Sequence, residues 1–241
     1  MRVGFVEWPG GLLPDSAEWR RVVIEVAHAR LPILVTNELP FGYWVAREPI
    51  FDRKAAQASV DLHDHGLQAL SALSAPTIIT SRPVVRSLHR KQYFPAEPGW
   101  YETSWFDPGE DDFPLVEVTG VAIDILLCTE LMFNERARRL GRQGASLIAI
   151  PRATGAADMW RTADRMAAIV SGAYVVSSNR VSSAQEDPGF GGDGFAYGPD
   201  GALLASTNRA SGLSVIEVDL DAAAIQKSAY PCYVSEVGPS R

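Results

Sequence analysis

The sequence is poor in cysteine, with only Cys128 and Cys232 among its 241 residues. Two cysteines cannot build a disulfide framework, so we expect a protein of the reducing cytoplasm. The chain also has no run of basic residues and carries 22 Lys and Arg against 29 Asp and Glu, a formal net charge of −7. An acidic chain of this kind is a poor candidate for a nucleic-acid binder, and no nucleic-acid partner is expected.

Long apolar runs are lacking as well. No stretch approaches the roughly 18–20 apolar residues of a membrane span, so no membrane partner is expected. The N-terminal MRVGFVEWPGG has no apolar core of the kind found in secretion signals. The motifs CxxC, HExxH and GxSxG do not occur, which leaves zinc-thiolate, zincin and serine-hydrolase sites without support.

Two further motifs are better explained by structure than by ligand binding. His63 and His65 resemble a metal-binding pair, but residues two apart on a helix do not share a face, so we expect one inward histidine. Gly192 and Gly194 begin like a dinucleotide fingerprint. Tyr197 stands at the last glycine place and no βαβ unit follows, which argues against a dinucleotide site.

The chain has the composition of a folded protein, with 46% hydrophobic and 21% charged residues. Its length suits one large domain or two small ones, and because no linker is visible we predict one domain over 1–241. Apolar periodicity predicts alternating elements. The predicted strands are 2–7, 31–39, 76–85, 116–128 (as one strand or two), 145–150, 173–179, 202–207 and 213–220, and the predicted helices are 15–30, 53–73, 134–143 and 158–172. This order indicates a layered α/β architecture with the helices outside and a long, proline-containing loop over 91–114.

Helix ends can be predicted from capping residues. Asp15 with Glu18 three residues on resembles an N-terminal capping box. Asn134 is a candidate cap for the next-to-last predicted helix, and Gly144 is a candidate stop signal for the same helix.

Cys128 stands where the apolar strand VAIDILL runs into the helical stretch TELMFNERARRLG. A thiol at such a turn would be presented at the end of a sheet, where backbone amides and the helix dipole favour a thiolate. The alternative is a buried structural cysteine, since free cysteine is among the most buried residue types. Position alone leaves both open.

The sequence around Cys128 resembles the nucleophile region of the carbon–nitrogen hydrolase (nitrilase) superfamily. The shared pattern is a Cys with an acid two residues on, a helix with Arg and Leu, then Gly-Ala, a strand ending in Pro, a helix with Arg and a strand ending in Asn. The matching residues are Cys128, Glu130, Arg136, Leu140, Gly144, Ala145, Pro151, Arg165 and Asn179.

The other members of that family's Glu–Lys–Cys triad have counterparts in the right order. Glu38, in ILVTNELPFGYW, matches the family glutamate at the end of the second core strand. Lys91, in LHRKQYFP, matches the family lysine, with His89 at the place of a tyrosine and Tyr93 at the place of a histidine. Glu102, in YETSWFDPG, matches the family's second glutamate.

Two departures bear on the substrate more than on the chemistry. The family usually has an extra hairpin between its third strand and the lysine, whereas this chain passes almost directly from strand to Lys91. Thr129, directly after the nucleophile, stands where many relatives have an aromatic residue.

The resemblance implies a four-layer αββα sandwich and a thiol mechanism. Glu38 would act as general base and then general acid toward the Cys128 thiol and the leaving amine. Lys91 and the backbone N–H of Thr129 would stabilise the tetrahedral oxyanion. Glu102 would hold the lysine or the substrate in register. The implied mechanism needs neither a metal nor an organic cofactor.

The implied reaction is hydrolysis of a small linear amide through a thioester, with release of ammonia or an amine. A nitrile or an N-carbamoyl compound is the alternative within the same chemistry. A non-catalytic binding or scaffold protein of the same fold is the alternative from another class. Family members pair through helices near the nucleophile, so a homodimer or a higher homo-oligomer is implied.

Several large side chains are candidates for the substrate pocket. Those next to Glu102 could line an apolar acyl pocket or simply cover the core. The predicted pocket residues are Trp44, Trp100, Trp105, Arg152 and Trp160. Cys232 has no acid or base motif beside it and is predicted to be a packed or interface thiol.

Overall fold

The computed structural model describes residues 1–83, 89–110, 114–183 and 189–235. The strands are β1 (Arg2–Val6), β2 (Ile33–Val35), β3 (Thr77–Ile79), β4 (Val116–Val118), β5 (Val121–Ile125), β6 (Leu147–Arg152), β7 (Tyr174–Asn179), β8 (Phe195–Tyr197), β9 (Leu203–Ser206) and β10 (Leu213–Glu217). The helices are α1 (Ala17–Ala29), α2 (Arg53–Leu70), α3 (Asn134–Gln143), α4 (Asp158–Ser171) and α5 (Leu220–Lys227). Within these residues, no helix has the length and apolarity needed to cross a bilayer.

The strands form two mixed sheets. One has the order β10-β1-β2-β3 and the other the order β4-β5-β6-β7-β8-β9. Strands β1, β2 and β3 are parallel, as are β5, β6 and β7, while the remaining pairs are antiparallel. The carboxyl ends of the parallel strands in a sheet meet at one edge, which is where open α/β folds place their sites.

Three apolar clusters hold four layers together. Phe5 and Val176 belong to the cluster between the sheets, whereas Leu34 faces the other way and packs in the cluster of α1 and α2. Leu140 and Ile148 pack in the third cluster, where α3 and α4 cover the six-stranded sheet. Both faces of the parallel strands are therefore buried, which explains their continuous apolar sequences. The predicted αββα sandwich is confirmed.

Some strands are shorter than their apolar runs. The predicted strand 31–39 pairs only over β2, because the chain then leaves the sheet toward a turn where Leu39 has φ 44°. The predicted strand 76–85 is reduced to β3, and its last two residues lie outside the described ranges. The strand predicted over 213–220 ends at Glu217, and α5 follows, a helix that the apolar pattern did not predict. Asp219 caps α5 by accepting from the backbone N–H groups of Asp221 and Ala222.

The predicted N-caps need correction by one residue. Asp15 adopts φ 65° and Ser16 caps α1 instead, since its hydroxyl accepts from the N–H of Trp19 at 3.0 Å. Asn134 is the first residue of α3 and not its cap. Gly144 ends α3 in the left-handed region, at φ 105°, as predicted.

The two histidines of α2 point in different directions, as predicted. His63 is buried and its Nδ1 lies 2.8 Å from the carbonyl oxygen of Ser59. His65 is exposed and lies 3.3 Å from the carboxylate of Asp15.

Candidate active site

Lys91 lies between two buried carboxylates. Its Nζ is 2.8 Å from Oε1 of Glu38 and 2.7 Å from Oε2 of Glu102. The exposed fractions are 7% for Lys91, 5% for Glu38 and 1% for Glu102. The three side chains come from separate parts of the chain, the turn after β2, the segment after β3 and a 3-10 helix over Glu102–Ser104. Such charged groups are rarely buried unless they are paired, and here each is paired.

The turn that carries Glu38 is held by the other sheet. The N–H of Glu38 donates to the carbonyl oxygen of Arg152 at 3.1 Å. The buried guanidinium of Arg180, just after β7, donates to the carbonyl oxygen of Leu39 at 2.6 Å and to that of Gly42. These bonds fix the direction in which the Glu38 carboxylate leaves the four-stranded sheet, because they satisfy the backbone groups of the turn.

Cys128 begins a short 3-10 helix, Cys128–Met132, close after β5. Its backbone has φ 50°, a left-handed conformation that is uncommon for a residue with a β-carbon. The thiol is free, 2% exposed, and close enough to Glu38, Lys91 and Glu102 for all three to shift its pKa. The structure therefore brings the four predicted catalytic side chains into one cluster. Thr129, the predicted oxyanion donor, follows in the same 3-10 helix and is half-buried.

Glu130 joins the cysteine turn to the lysine segment. Its Oε2 accepts from the N–H of Leu127 and lies near Nε2 of His89, both at 2.7 Å, and its Oε1 accepts from the N–H of Gln92 at 2.8 Å. Leu127 directly precedes Cys128, and His89 and Gln92 lie on either side of Lys91 in the sequence. Glu130 therefore bonds to the neighbours of both residues. The sequence pattern contained Glu130 as the acid two residues after the cysteine but did not predict this role.

Burial controls the charges of the cluster. Burial first, and Glu38 second, raise the pKa of the Cys128 thiol to about 12, against the opposing effect of Lys91. Burial alone would lower the pKa of Lys91, but Cys128, Glu102 and Glu38 outweigh it, so that the pKa lies well above the ordinary value. Burial raises the pKa of Glu102 to about 7, although the Lys91 ammonium opposes this. The resting site therefore holds a protonated thiol beside a permanent cation.

A cavity of about 650 Å³ opens onto the cluster. Glu38, Lys91 and Glu102 line one part of it, together with Leu127. Cys128 lies next to this wall and does not form part of it. The cavity supplies the space that a substrate needs beside the carboxylates and the ammonium.

Only one of the five predicted pocket residues lines this cavity, and that residue is Trp105. Trp44 is a core residue with 1% exposure, in edge-to-face contact with Phe190. Trp100 contacts the same ring and donates its indole N–H to the carbonyl oxygen of Ala153 at 2.9 Å. These two aromatic residues therefore support the wall and do not form it.

Arg152 and Trp160 belong to a buried network behind the site. The Arg152 guanidinium donates to the hydroxyl oxygens of Ser177 at 2.5 Å and Thr154 at 3.0 Å, and it lies 3.7 Å from the carboxylate of Asp164. Its central carbon is 5.7 Å from the centre of the Trp160 ring. Burial raises the pKa of Asp164 to about 7, despite the neighbouring guanidinium. A buried arginine with this many partners holds the sheet in place.

Cys232 is not among the groups that shift the pKa of Cys128. It is half-buried, and its Sγ lies 3.3 Å from the carbonyl oxygen of Ile169 near the end of α4. This agrees with the prediction of a packed thiol.

Residues 71–230 match the family model described as carbon-nitrogen hydrolase. This is more than half of the chain. The chain belongs to the carbon–nitrogen hydrolase family. The predicted resemblance is thus confirmed at the family level.

Curated members of the family resemble part of the chain. It is 28% identical over 151 residues to an N-carbamoylputrescine amidase of Solanum tuberosum, covering 56% of this chain and 50% of that protein. It is 27% identical over 152 residues to an (R)-stereoselective amidase of Pseudomonas sp, covering 61% of this chain and 53% of that protein. The matched region thus spans about half the length of these relatives.

Solved structures of this family share the fold over nearly the whole chain. A carbon-nitrogen hydrolase from Helicobacter pylori G27 superposes with a TM-score of 0.82 at 19% identity, covering 96% of this chain and 94% of that one. An amidase from Nesterenkonia sp. superposes with a TM-score of 0.69 at 19% identity, covering 93% and 92%. At these identities the likeness concerns the fold alone.

Proposed function

We propose that this chain is a thiol amidohydrolase that cleaves a non-peptide C–N bond of a small linear amide and releases ammonia or an amine. The observation that carries this proposal is the Lys91 ammonium, held within 2.8 Å of both Glu38 and Glu102 beside the Cys128 thiol. A base, a fixed cation and a nucleophile in one buried cluster are the groups that acyl transfer through a thioester requires.

The raised pKa of Cys128 requires a base at the moment of attack. Glu38 takes the proton of the thiol as sulfur bonds to the carbonyl carbon, and the carbonyl π electrons move onto oxygen. Lys91 and the backbone N–H of Thr129 stabilise that oxyanion, which is worth about 10²–10³ in rate for one such donor. Glu38 then gives its proton to the leaving nitrogen as the C–N bond breaks. Water hydrolyses the thioester, and Glu102 holds Lys91 in register throughout.

The alternative substrates within the same chemistry are a nitrile and an N-carbamoyl compound. The N-carbamoyl alternative is favoured by the similarity to N-carbamoylputrescine amidases. A binding or scaffold role without catalysis is the alternative from another class, and the complete set of Glu38, Lys91, Cys128 and Glu102 argues against it.

The test compares wild type with Cys128→Ser for ammonia release from a panel of amides, nitriles and ureides. Wild type should release ammonia from one class, and the variant should lose at least about 10³ of that rate, as expected for removal of a nucleophile. Intact-mass analysis should show an acyl adduct on Cys128, whose mass identifies the acyl group. Neither turnover nor an adduct across the panel would favour the binding alternative.

We further propose a cytoplasmic homodimer or higher homo-oligomer whose residues 1–241 form one domain. The two free cysteines support the location, and the family resemblance supports the assembly. Its partner would be a small molecule, with neither nucleic acid nor membrane involved. Sedimentation equilibrium and limited proteolysis test these statements, and a monomer at micromolar concentration would contradict the assembly.

A further inference from the structure

The cavity beside the catalytic cluster is larger than a small amide requires. At about 650 Å³ it lies well within the range of roughly 300–1,000 Å³ that is typical of sites for drug-sized ligands. From Glu38, Lys91 and Glu102 its lining passes along the rings of Phe94 and Phe106, which stack with their centres 5.9 Å apart. The reacting end of a substrate would occupy only the part of the cavity next to the charged groups.

The remainder of the cavity lies between the edges of the two sheets. Strand β3 ends the order of the four-stranded sheet and β4 ends that of the six-stranded sheet, and residues of both strands line the cavity. The wall in this region is apolar, consisting mainly of Ile79, Val116, Val118, Ile123 and Ile125. Water in contact with such a surface is readily replaced by a hydrocarbon chain.

The charged residues in this region already have partners within the protein. The guanidinium of Arg82 pairs with the carboxylate of Asp64, and Oδ1 of Asp124 accepts from the N–H of Ile125 at 2.8 Å. Arg90 and Asp107 also line the cavity but are exposed to solvent. The deep part of the cavity therefore favours an apolar chain over a charged one, since a buried charge needs a partner.

We propose that the substrate is an amide that carries a long apolar chain, alkyl or arylalkyl, which occupies the space between β3 and β4. This inference rests on the proposed function, because the reacting carbonyl has to lie beside Glu38, Lys91 and Cys128. It changes the expected substrate from a small linear amide to an amphiphilic one. Phe94, Phe106 and the edge-strand side chains then determine specificity.

The first experiment measures kcat/KM of the wild-type protein for a series of primary amides from propanamide to decanamide. Each added methylene should raise kcat/KM about fourfold until the cavity is filled. A parallel series of N-alkylacetamides places the chain on the amine side, so the two series together show which side of the scissile bond carries it. Values of kcat/KM that do not change with chain length in either series would overturn the proposal.

The second experiment fills the cavity. Thr77→Trp on β3 and Val116→Trp on β4 each enlarge a half-buried side chain of the wall. Each variant should lower the ratio of kcat/KM for the best long-chain amide to kcat/KM for propanamide by about tenfold or more. Leu204→Trp on β9, at the far edge of the six-stranded sheet, is the matched control and should change neither rate.

The outcomes separate this inference from the proposed function. Turnover of propanamide without any dependence on chain length, or long-chain rates that both folded variants leave unchanged, would contradict the inference and leave the amidohydrolase intact. No turnover and no Cys128 adduct with any amide would contradict the function itself. If circular dichroism shows that one variant does not fold, the other variant and the wild-type series still test the inference.

Discussion

At the scale of single residues, the site holds more negative than positive charge. Two carboxylates share one ammonium, so the cluster would carry a net charge of −1 if all three groups were ionised. Burying an excess charge is costly, and the raised pKa of Glu102 relieves it. Glu102 therefore couples the state of the site to pH near neutrality.

This coupling predicts a pH dependence of stability. An unfolded Glu102 ionises near pH 4.5 and the native one only near 7, so the native state binds more protons between these values. The free energy of unfolding should therefore fall as pH rises from about 4.5 to 7. Glu102→Gln should flatten part of this decline in urea titrations across that range, and Asp164, whose pKa is also raised to about 7, accounts for a further part. An unchanged slope in the variant would contradict the prediction.

The protonated thiol predicts slow alkylation. In a Cys232→Ser background Cys128 is the only thiol, and its pKa of about 12 leaves about 10³ less thiolate at pH 8 than the ordinary value of 9.0 would. Iodoacetamide should therefore modify the folded protein far more slowly than the same protein in urea, as followed by intact mass. Rapid labelling of the folded protein at pH 7 would instead indicate a preformed thiolate.

Sequence reasoning predicted which side chains lie together better than it predicted what surrounds them. The order of motifs was enough to group Glu38, Lys91, Glu102 and Cys128, which are neighbours in the structure, because each motif has distinctive neighbours along the chain. The residues of the pocket wall were harder to predict. Trp44, a large aromatic residue close to Glu38 in the sequence, can face the cavity or support it from behind, and which of these occurs depends on backbone direction at turns.

At the scale of elements, Glu130 determines how two segments meet. Its carboxylate accepts backbone N–H groups from both the Cys128 turn and the Lys91 segment, and it lies against His89. Hydrogen bonds to a buried charged group contribute about 1.5–3 kcal/mol each. The distance between the nucleophile and the cation should therefore depend on this one side chain.

Glu130→Gln tests that dependence. The amide cannot accept at both oxygen positions, so we expect a loss of about 3 kcal/mol of stability and a decrease in kcat of at least about tenfold with a smaller change in KM. Chemical denaturation and steady-state kinetics on one preparation measure both. Glu135→Gln, an exposed acid in the first turn of α3, is the matched control. Equal effects of the two substitutions would contradict the positioning role.

Element boundaries followed from the sequence only where local signals are strong. Gly144 ends α3 because its φ of 105° suits glycine, and that signal was readable in advance. The shortness of β2 was not readable, because its apolar run continues into a buried turn held by Arg180 from the other sheet. Helix α5 was missed because its outer residues, such as Ile225, are apolar and hide the helical period.

At the scale of the whole molecule, the site depends on the packing of one sheet against the other. Glu38 follows a strand of the four-stranded sheet and Cys128 follows a strand of the six-stranded sheet, with the core that contains Phe5 and Val176 between them. Activity should therefore be lost in the same transition as the fold. This is expected when both sheets unfold together.

Ile33→Val tests this cooperativity. The removal of one buried methylene from the core between the sheets should cost about 1 kcal/mol and lower Tm by about 2–4 °C in a chain of this size. Thermal loss of activity and of tryptophan fluorescence should shift together, whereas Ile24→Val, which is exposed on α1, should shift neither. Loss of activity well below the fluorescence transition would indicate that the site opens before the sheets separate.

The left-handed backbone at Cys128 also has an evolutionary consequence. For a residue with a β-carbon, that conformation lowers the stability of the folded state by roughly 1–2 kcal/mol, whereas glycine adopts it freely. In a related protein that no longer uses the thiol, glycine at this position would stabilise the fold, so we expect selection to favour glycine there. A relative that keeps β5, the turn and α3 but has glycine at position 128 would thus be recognisable as one that has lost the proposed thiol chemistry.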